Sequence, residues 1–308
     1  LVGSEMCIRD SFLQGQLSCN TELLSADRSL VGALCNLKGR VIADFRLLEI
    51  REDIILQCAA GMADKIYAIL SKYAVFSKVE LELLSSKSTS TPVAFGILSD
   101  SVDAALSTLQ LKLPGSYGEV SQSPDCSVIR LPGPAKRVEI WFHHLAAKSA
   151  FLNSSDLSIS CELQAWHRAE IETGIIHVTP QLSEEYTPQL LNYDISGLID
   201  FKKGCYTGQE IVARMFYRGT AKKRLYLACS NYPISESSRV VADSSDDSTK
   251  TKSSGSAILA YSNVETPALL LAVLAGESAK AEQEYRLSDQ PGSAVRILRL
   301  ADTECRTN

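Results

Sequence analysis

One change of texture constrains the fold more than any other feature of this chain. Up to about residue 218, short strand-like and helix-like segments interleave. From Lys223 onward six β segments follow one another with turns between them and no helical period: 223–230, 239–242, 257–262, 268–275, 285–287 and 295–300. A run of short strands at this spacing closes into a small barrel or sandwich. The upstream pattern is different. Leu30–Leu37 and Val41–Ile50 read as strands around a Lys38-Gly39 turn, and Asp53–Ala59 as a third. Met62–Phe76 is helical, with Ile66, Ile69, Leu70 and Tyr73 on one face. Strands at 79–84, 93–98, 128–131 and 137–142 alternate with helices at 102–111, 146–152 and 163–171, and a short helix covers Phe12–Leu17 behind a cap at Asp10 or Ser11. The class is α+β rather than a regular doubly wound sheet. Leu1–Asp10 resembles no natural start and is set aside as a fragment edge. Asp243–Ser256, rich in Ser, Asp, Thr and Lys, reads as a solvated excursion.

Charge narrows the function classes. The 308 residues carry a net charge of −5, which excludes a wholly basic nucleic-acid binder. Between Lys202 and Arg224, however, seven cations (Lys202, Lys203, Arg214, Arg218, Lys222, Lys223, Arg224) meet one acid, Glu210; this stretch is +6 and the remainder −11. Such a stripe suits a phosphate backbone or a string of carboxylates, and an ordinary solvated charged face is the alternative. The longest apolar run, Ala268–Ala275, is far short of the roughly 20 residues that span a bilayer, so no membrane partner is expected. Nine cysteines at wide spacings, without a C-x-x-C, point to a reducing cytoplasm and mostly buried thiols. The four histidines, His143, His144, His167 and His177, form no metal spacing, and hydrogen-bonded or exposed rings are the default.

The richest stretch is Phe201–Arg214. Thr207 and Glu210 form T-x-x-E ahead of an apolar run, so a capping box and a helix over about 208–216 are expected. Cys205 would then face the positive end of that helix with Lys202 and Lys203 nearby, conditions that favour a reactive thiolate. Gly204 would let a ligand approach the backbone closely. A well-capped helix with an incidental cysteine is the competing reading.

Lys203-Gly204-Cys205-Tyr206-Thr207-Gly208-Gln209-Glu210 resembles the signature of the YgfZ-type folate-binding proteins, relatives of the glycine-cleavage T-protein (aminomethyltransferase). Ordered matches flank it: Phe12–Leu17, Lys38–Arg40 through Arg46-Leu47, Lys72–Val79, Pro188-Gln189 with Asn192, and Arg218-Gly219 before Lys223-Arg224, together covering roughly residues 11–300. The resemblance implies a three-part, ring-like T-protein-type fold: a first α+β domain from 11–50 and about 145–218, a second from 51–144, both ferredoxin-like, and a C-terminal β-barrel at 219–308. It implies a tetrahydrofolate ligand, with or without a polyglutamate tail. It further implies cytoplasmic support of iron–sulfur enzymes, such as a tRNA methylthiotransferase; the charge stripe at Lys202–Arg224 adds an expected tRNA contact. Cys205 and Lys203 would carry the chemistry. Trp166, Glu172, Gly204, Tyr206, Gln209, Glu210, Arg214 and Arg218 would line the folate: an indole can stack on a pterin, and a carboxylate suits the adjacent N–H donors of a 2-amino-4-oxo ring.

Two positions depart from the family pattern. A second folate-contacting Trp lies upstream of the Phe12–Leu17 match in the family, whereas this chain has only Trp141 and Trp166. Where the T-protein has adjacent carboxylates, this chain has Ala43-Asp44. A folate-binding accessory protein therefore ranks first, a folate-dependent aminomethyl or C1 transferase using Asp44 second, and an RNA-binding module without folate third.

Overall fold

A computed structural model describes residues 2–3, 6–84, 91–133, 135–154, 163–219, 221–242, 256–275 and 284–301, with side chains described from Ser11 onward and not at Ser154. Fifteen strands are described: β1 (Val2–Gly3), β2 (Leu30–Cys35), β3 (Val41–Ile50), β4 (Asp53–Cys58), β5 (Val79–Glu80), β6 (Val93–Leu98), β7 (Val120–Gln122), β8 (Cys126–Leu131), β9 (Arg137–Phe142), β10 (Lys223–Ser230), β11 (Arg239–Ala242), β12 (Ser256–Ser262), β13 (Ala268–Ala275), β14 (Tyr285–Leu287) and β15 (Gln290–Leu300). The helices are α1 (Met6–Gln16), α2 (Ala63–Ala74), α3 (Val102–Thr108), α4 (Leu145–Ser154), α5 (Leu163–Glu172) and α6 (Gln209–Arg218). The fold is α+β, as expected, and β10-β13-β12-β11-β14-β15 close into an antiparallel barrel.

Three differences from the expected elements have local causes. α1 starts at Met6, so residues set aside as a fragment edge continue the helix. The strand expected over 79–84 is paired only at Val79–Glu80, where β1 supplies a partner. The excursion expected at 243–256 lies outside the described residues up to Ser256, the first residue of β12.

The three-stranded sheet β2-β3-β4 and the four-stranded sheet β6-β9-β8-β7 each have a helix-covered face. Strand alternation decides which side chains go where. On β3, Phe45 and Leu47 enter a core with α1 and α2, so Asp44, Arg46, Leu48 and Ile50 point the other way. On β9, Val138, Ile140 and Phe142 pack against α3 and α4, leaving Arg137, Glu139 and Trp141 on the opposite face. These two remaining faces meet. Leu48, Ile50, Ile129, Leu131 and Trp141 form one apolar cluster with Trp166 of α5 against it, and Arg46 pairs with Glu139 at 3.5 Å. The turn expected to separate the first two domains, at 50/51, connects β3 and β4 of a single sheet. A further core joins β2, the 176–206 segment and α6 to the outer wall of the barrel, through Ile176, Tyr193, Tyr206, Val212, Leu227 and Leu271.

Candidate functional site

The Cys205 loop is held from two sides. On one side, the C-terminal end of α1 leaves carbonyls without helical partners. Lys203 Nζ donates to the carbonyls of Gln14 (2.6 Å) and Leu17 (2.5 Å), and Thr207 N donates to the carbonyl of Gly15 (3.3 Å). Lys203 is only 8% exposed; burial lowers its pKa to about 8, partly opposed by Cys19, Asp200 and Glu22. Its charge also lies over the Tyr206 ring at 5.2 Å. The segments matched at 12–17 and 203–207 are therefore one structural unit.

On the other side stands the β2–β3 turn. Gly208 has φ 83°, and a Cβ there would collide with the carbonyl oxygen of Asn36. Across the same contact Gly39 has φ 69°, and its Cβ would lie 2.8 Å from Ile211. Both positions require glycine for conformation and for space. Asn36 keeps the turn rigid, accepting from the amides of Lys38 and Arg40 while donating to Glu184 at 2.8 Å.

The capping box does not form. Gly208, in its left-handed conformation, takes the cap position and delays the helix to Gln209; no side chain caps the helix. Thr207 instead donates to Gln16 Oε1 at 3.3 Å, and Gln209 Oε1 accepts from the amide of Tyr206 at 3.2 Å. Glu210 is exposed. Within the loop, Lys203 and Tyr206 point inward and Gly204 and Cys205 outward. Cys205 is exposed, and a Cβ on Gly204 would meet nothing within 4 Å. The Tyr206 hydroxyl is buried without a hydrogen-bond partner among the described residues, and burial raises its pKa. Arg214 and Arg218 are exposed on α6. Of the other described thiols, Cys19, Cys35, Cys126 and Cys229 are buried and Cys58 is half-buried; burial pushes Cys19 up to about 11 and Cys35 to about 12.

A second constellation lies where the two sheet faces meet. Helical spacing splits α5 into two faces. On one, Trp166 Nε1 donates to Glu170 at 2.9 Å, and His167 approaches the same carboxylate at 3.4 Å. On the other, Arg168 pairs with Glu172 (3.1 Å) and with Glu265 of the barrel (3.4 Å). Glu172 thus lies on the opposite side of the helix from Trp166. The indole is packed closely: the Arg137 guanidinium is 4.6 Å from its ring, and Gly96 allows the ring against β6, where a Cβ would be 2.6 Å away.

After the Thr173-Gly174 turn the chain runs back along β3. Val178 N donates to Asp44 Oδ1 at 2.6 Å, and His177 Nδ1 meets Asp44 Oδ2 at 2.7 Å. His177 Nε2 lies 3.6 Å from Glu170. Burial alone would lower the His177 pKa; the charge and hydrogen bond of Asp44, with those of Glu170, raise it to about 10. For Glu170 burial works upward, and the hydrogen bonds of His167 and His177 with the charges of His177 and Arg137 outweigh it, holding the carboxyl well below its ordinary range. An imidazolium is thus fixed between two carboxylates. The side chain of His177 is 47% accessible, so one side of the ring is open. Asp44 is itself only 6% accessible and both its oxygens are engaged. Sequence reasoning named Asp44 and Trp166 but missed Glu170, His177 and Arg137. The signal available was the spacing of Trp166 and His167 to Glu170, four and three residues on one helix face.

A half-accessible cationic ring beside a carboxylate is a set that can meet the carbonyl and N–H groups of a pterin, with Glu170 already accepting from Trp166 and His177 already paired with Asp44. Among the described residues no three His, Cys, Asp or Glu side chains are grouped to hold a metal ion. No described helix is long and apolar enough to cross a membrane.

No family model matches the chain. It is 32% identical over 225 residues to the tRNA-modifying protein YgfZ of Hamiltonella defensa, covering 71% of this chain and 64% of that protein. Against YgfZ of Yersinia pestis strain Pestoides F it is 30% identical over 223 residues, or 72% and 66%. The chain thus spans slightly less than two thirds of these relatives. In fold it is similar to the glycine cleavage system aminomethyltransferase T of Bartonella henselae, with a TM-score of 0.71, 16% identity, and coverage of 96% of this chain and 82% of that one.

Proposed function

We propose, because the chain is a homologue of the YgfZ-type proteins with a T-protein fold, that it is a folate-binding accessory protein of tRNA modification. In this reading it supports iron–sulfur enzymes, such as a tRNA methylthiotransferase, in the cytoplasm. Tetrahydrofolate lies against the accessible side of His177, with Glu170 and Trp166, the latter braced by Arg137, beside it. When bound, tetrahydrofolate supplies a carrier for one-carbon units. Cys205 is the reactive group. Lys203 anchors the loop that presents it, and Tyr206, Gln209 and Gly208 set that loop's shape. Glu172, Glu210, Arg214 and Arg218 remain candidates for the outer parts of the ligand, the two arginines for a polyglutamate tail.

The observation that carries this reading is Cys205, exposed on a loop clamped by α1 and the β2–β3 turn, whereas the other described thiols are buried or half-buried. Aminomethyl or C1 transfer ranks second because Asp44, its one named carboxylate, already accepts from His177 and Val178. The test has two arms. Calorimetric titration with tetrahydrofolate should show micromolar binding that is lost in Trp166→Ala; a parent chain that binds no folate overturns the ligand. Cys205→Ala should abolish support of a tRNA-thiolating enzyme in cells lacking the native gene, and full rescue would refute the thiol's part in it.

A further inference from the structure

The basic stripe divides sharply once its side chains are placed. Lys203 is buried on the carbonyls of α1, and Arg224 pairs with Asp194 at 2.6 Å. The other five, Lys202, Arg214, Arg218, Lys222 and Lys223, are exposed and have no ion-pair partner among the described residues. An aromatic cluster lies among them. Phe201 and Phe216 stack with ring centroids 3.8 Å apart and planes inclined 16°, and Tyr217 meets both edge-on at 6.1 and 5.1 Å. Phe216 is 42% exposed and Tyr217 68%. Tyr217 follows Arg214 by three positions and Arg218 follows Arg214 by four, so both lie on the Arg214 side of α6, while Phe216 turns toward Phe201. The Phe201–Phe216 stack also ties the C-terminal half of α6 back to the start of the loop that carries Cys205.

We propose that this surface is a platform for an unpaired stretch of RNA, whose bases stack on Tyr217 and the adjoining Phe216 while the exposed cations of the stretch hold the phosphates. An acidic peptide would use the cations but has no need of three clustered rings; base stacking on exposed aromatics between cations is how single strands are held without sequence preference. Arginine's planar fork matches phosphate geometry. The inference deepens the tRNA-modification reading and rests on it.

Fluorescence anisotropy of the full chain tests it with an unstructured oligoribonucleotide and a duplex RNA of the same length. The single strand should bind tighter than the duplex, and more weakly as salt rises. Tyr217→Ala and Phe216→Ala should each weaken single-strand binding about tenfold without changing the salt slope. The double variant Arg214→Gln/Arg218→Gln should instead flatten that slope by about 1.4, at about 0.7 for each phosphate left without its arginine. Equal affinity for duplex and single strand, unaltered binding by both aromatic variants, or binding to anionic phospholipid vesicles in place of RNA would overturn the proposal. Tetrahydrofolate titration of the Tyr217→Ala and Phe216→Ala variants keeps the two readings apart: folate binding intact with RNA binding lost supports the platform, and folate binding absent throughout refutes only the folate reading.

Discussion

The Cys205 loop and the His177 cluster are built by opposite means. In the loop, chemistry is left exposed and only the framework is fixed: a lysine on helix-end carbonyls, two glycines against each other's neighbours, and a thiol in solvent. In the cluster, the charged groups fix one another. Asp44, His177 and Glu170 come from a strand, a return segment and a helix: His177 lies between the two carboxylates, Asp44 also accepts from the Val178 amide, and Glu170 also accepts from Trp166. An exposed thiol on a rigid loop can be exchanged at little cost to the fold, whereas the cluster cannot lose a member without leaving a charge unmatched.

The largest effect that would sharpen this contrast is at the loop's framework. Gly208→Ala combines a left-handed backbone with a collision against backbone that cannot move without disturbing the Asn36 turn. We expect a loss of about 4 kcal/mol, from about 1–2 for the conformation and the rest from displaced packing. Urea unfolding measures it, with Cys205→Ala as the partner variant at less than about 0.5 kcal/mol. A Gly208→Ala chain as stable as the parent would show that the loop is not held as described.

Asp44→Asn comes next and probes the cluster. His177 is nearly half accessible, so the cost falls below the roughly 3–5 kcal/mol of a fully buried pair; about 2 kcal/mol is expected. The pH dependence carries a sign. The folded pKa of His177, about 10, lies above its ordinary 6.5, so its stabilisation is complete below about pH 6.5 and is lost as pH rises through 10. The gap between parent and variant should therefore narrow from neutral to alkaline pH. Imidazole NMR should report a ring still protonated at pH 8 in the parent and titrating lower in the variant. A parent ring that is neutral at pH 8 would dissolve the cluster as an ion network.

How much of this was legible in the sequence follows the same divide. The loop motif is contiguous, so its eight residues could be read in order, and the barrel's six strands announced themselves by their turns. Helix and strand periods placed most elements within a few residues. The cluster could not be read that way, because its members lie at 44, 137, 166, 170 and 177 and meet only when the free faces of β3 and β9 come together around α5. Glu172 illustrates the limit: sequence reasoning grouped it with Trp166, while helix geometry sets it against Arg168 on the far side. Lys203 illustrates another, since no local pattern says that a lysine two residues before an exposed cysteine will turn inward to close a helix 186 residues away.

The smallest effect is the most pointed test of the loop, because it separates two accounts of the same four residues. If Thr207 capped α6 as T-x-x-E suggests, Thr207→Ala would cost about 1–2 kcal/mol. In the structure Gly208 occupies the cap position, and the Thr207 hydroxyl makes one long contact to Gln16, at 3.3 Å and half-buried. That contact accounts for about 0.5 kcal/mol at most. Glu210→Ala should be equally mild, since the carboxylate is exposed and reaches back to no amide among the described residues. Gln209→Ala should cost more than either, because its side chain accepts from the Tyr206 amide and fixes the loop beside Cys205. The order Gln209 above Thr207 and Glu210 is what the left-handed glycine imposes. The reverse order in a set of chemical denaturation curves would restore the capping box.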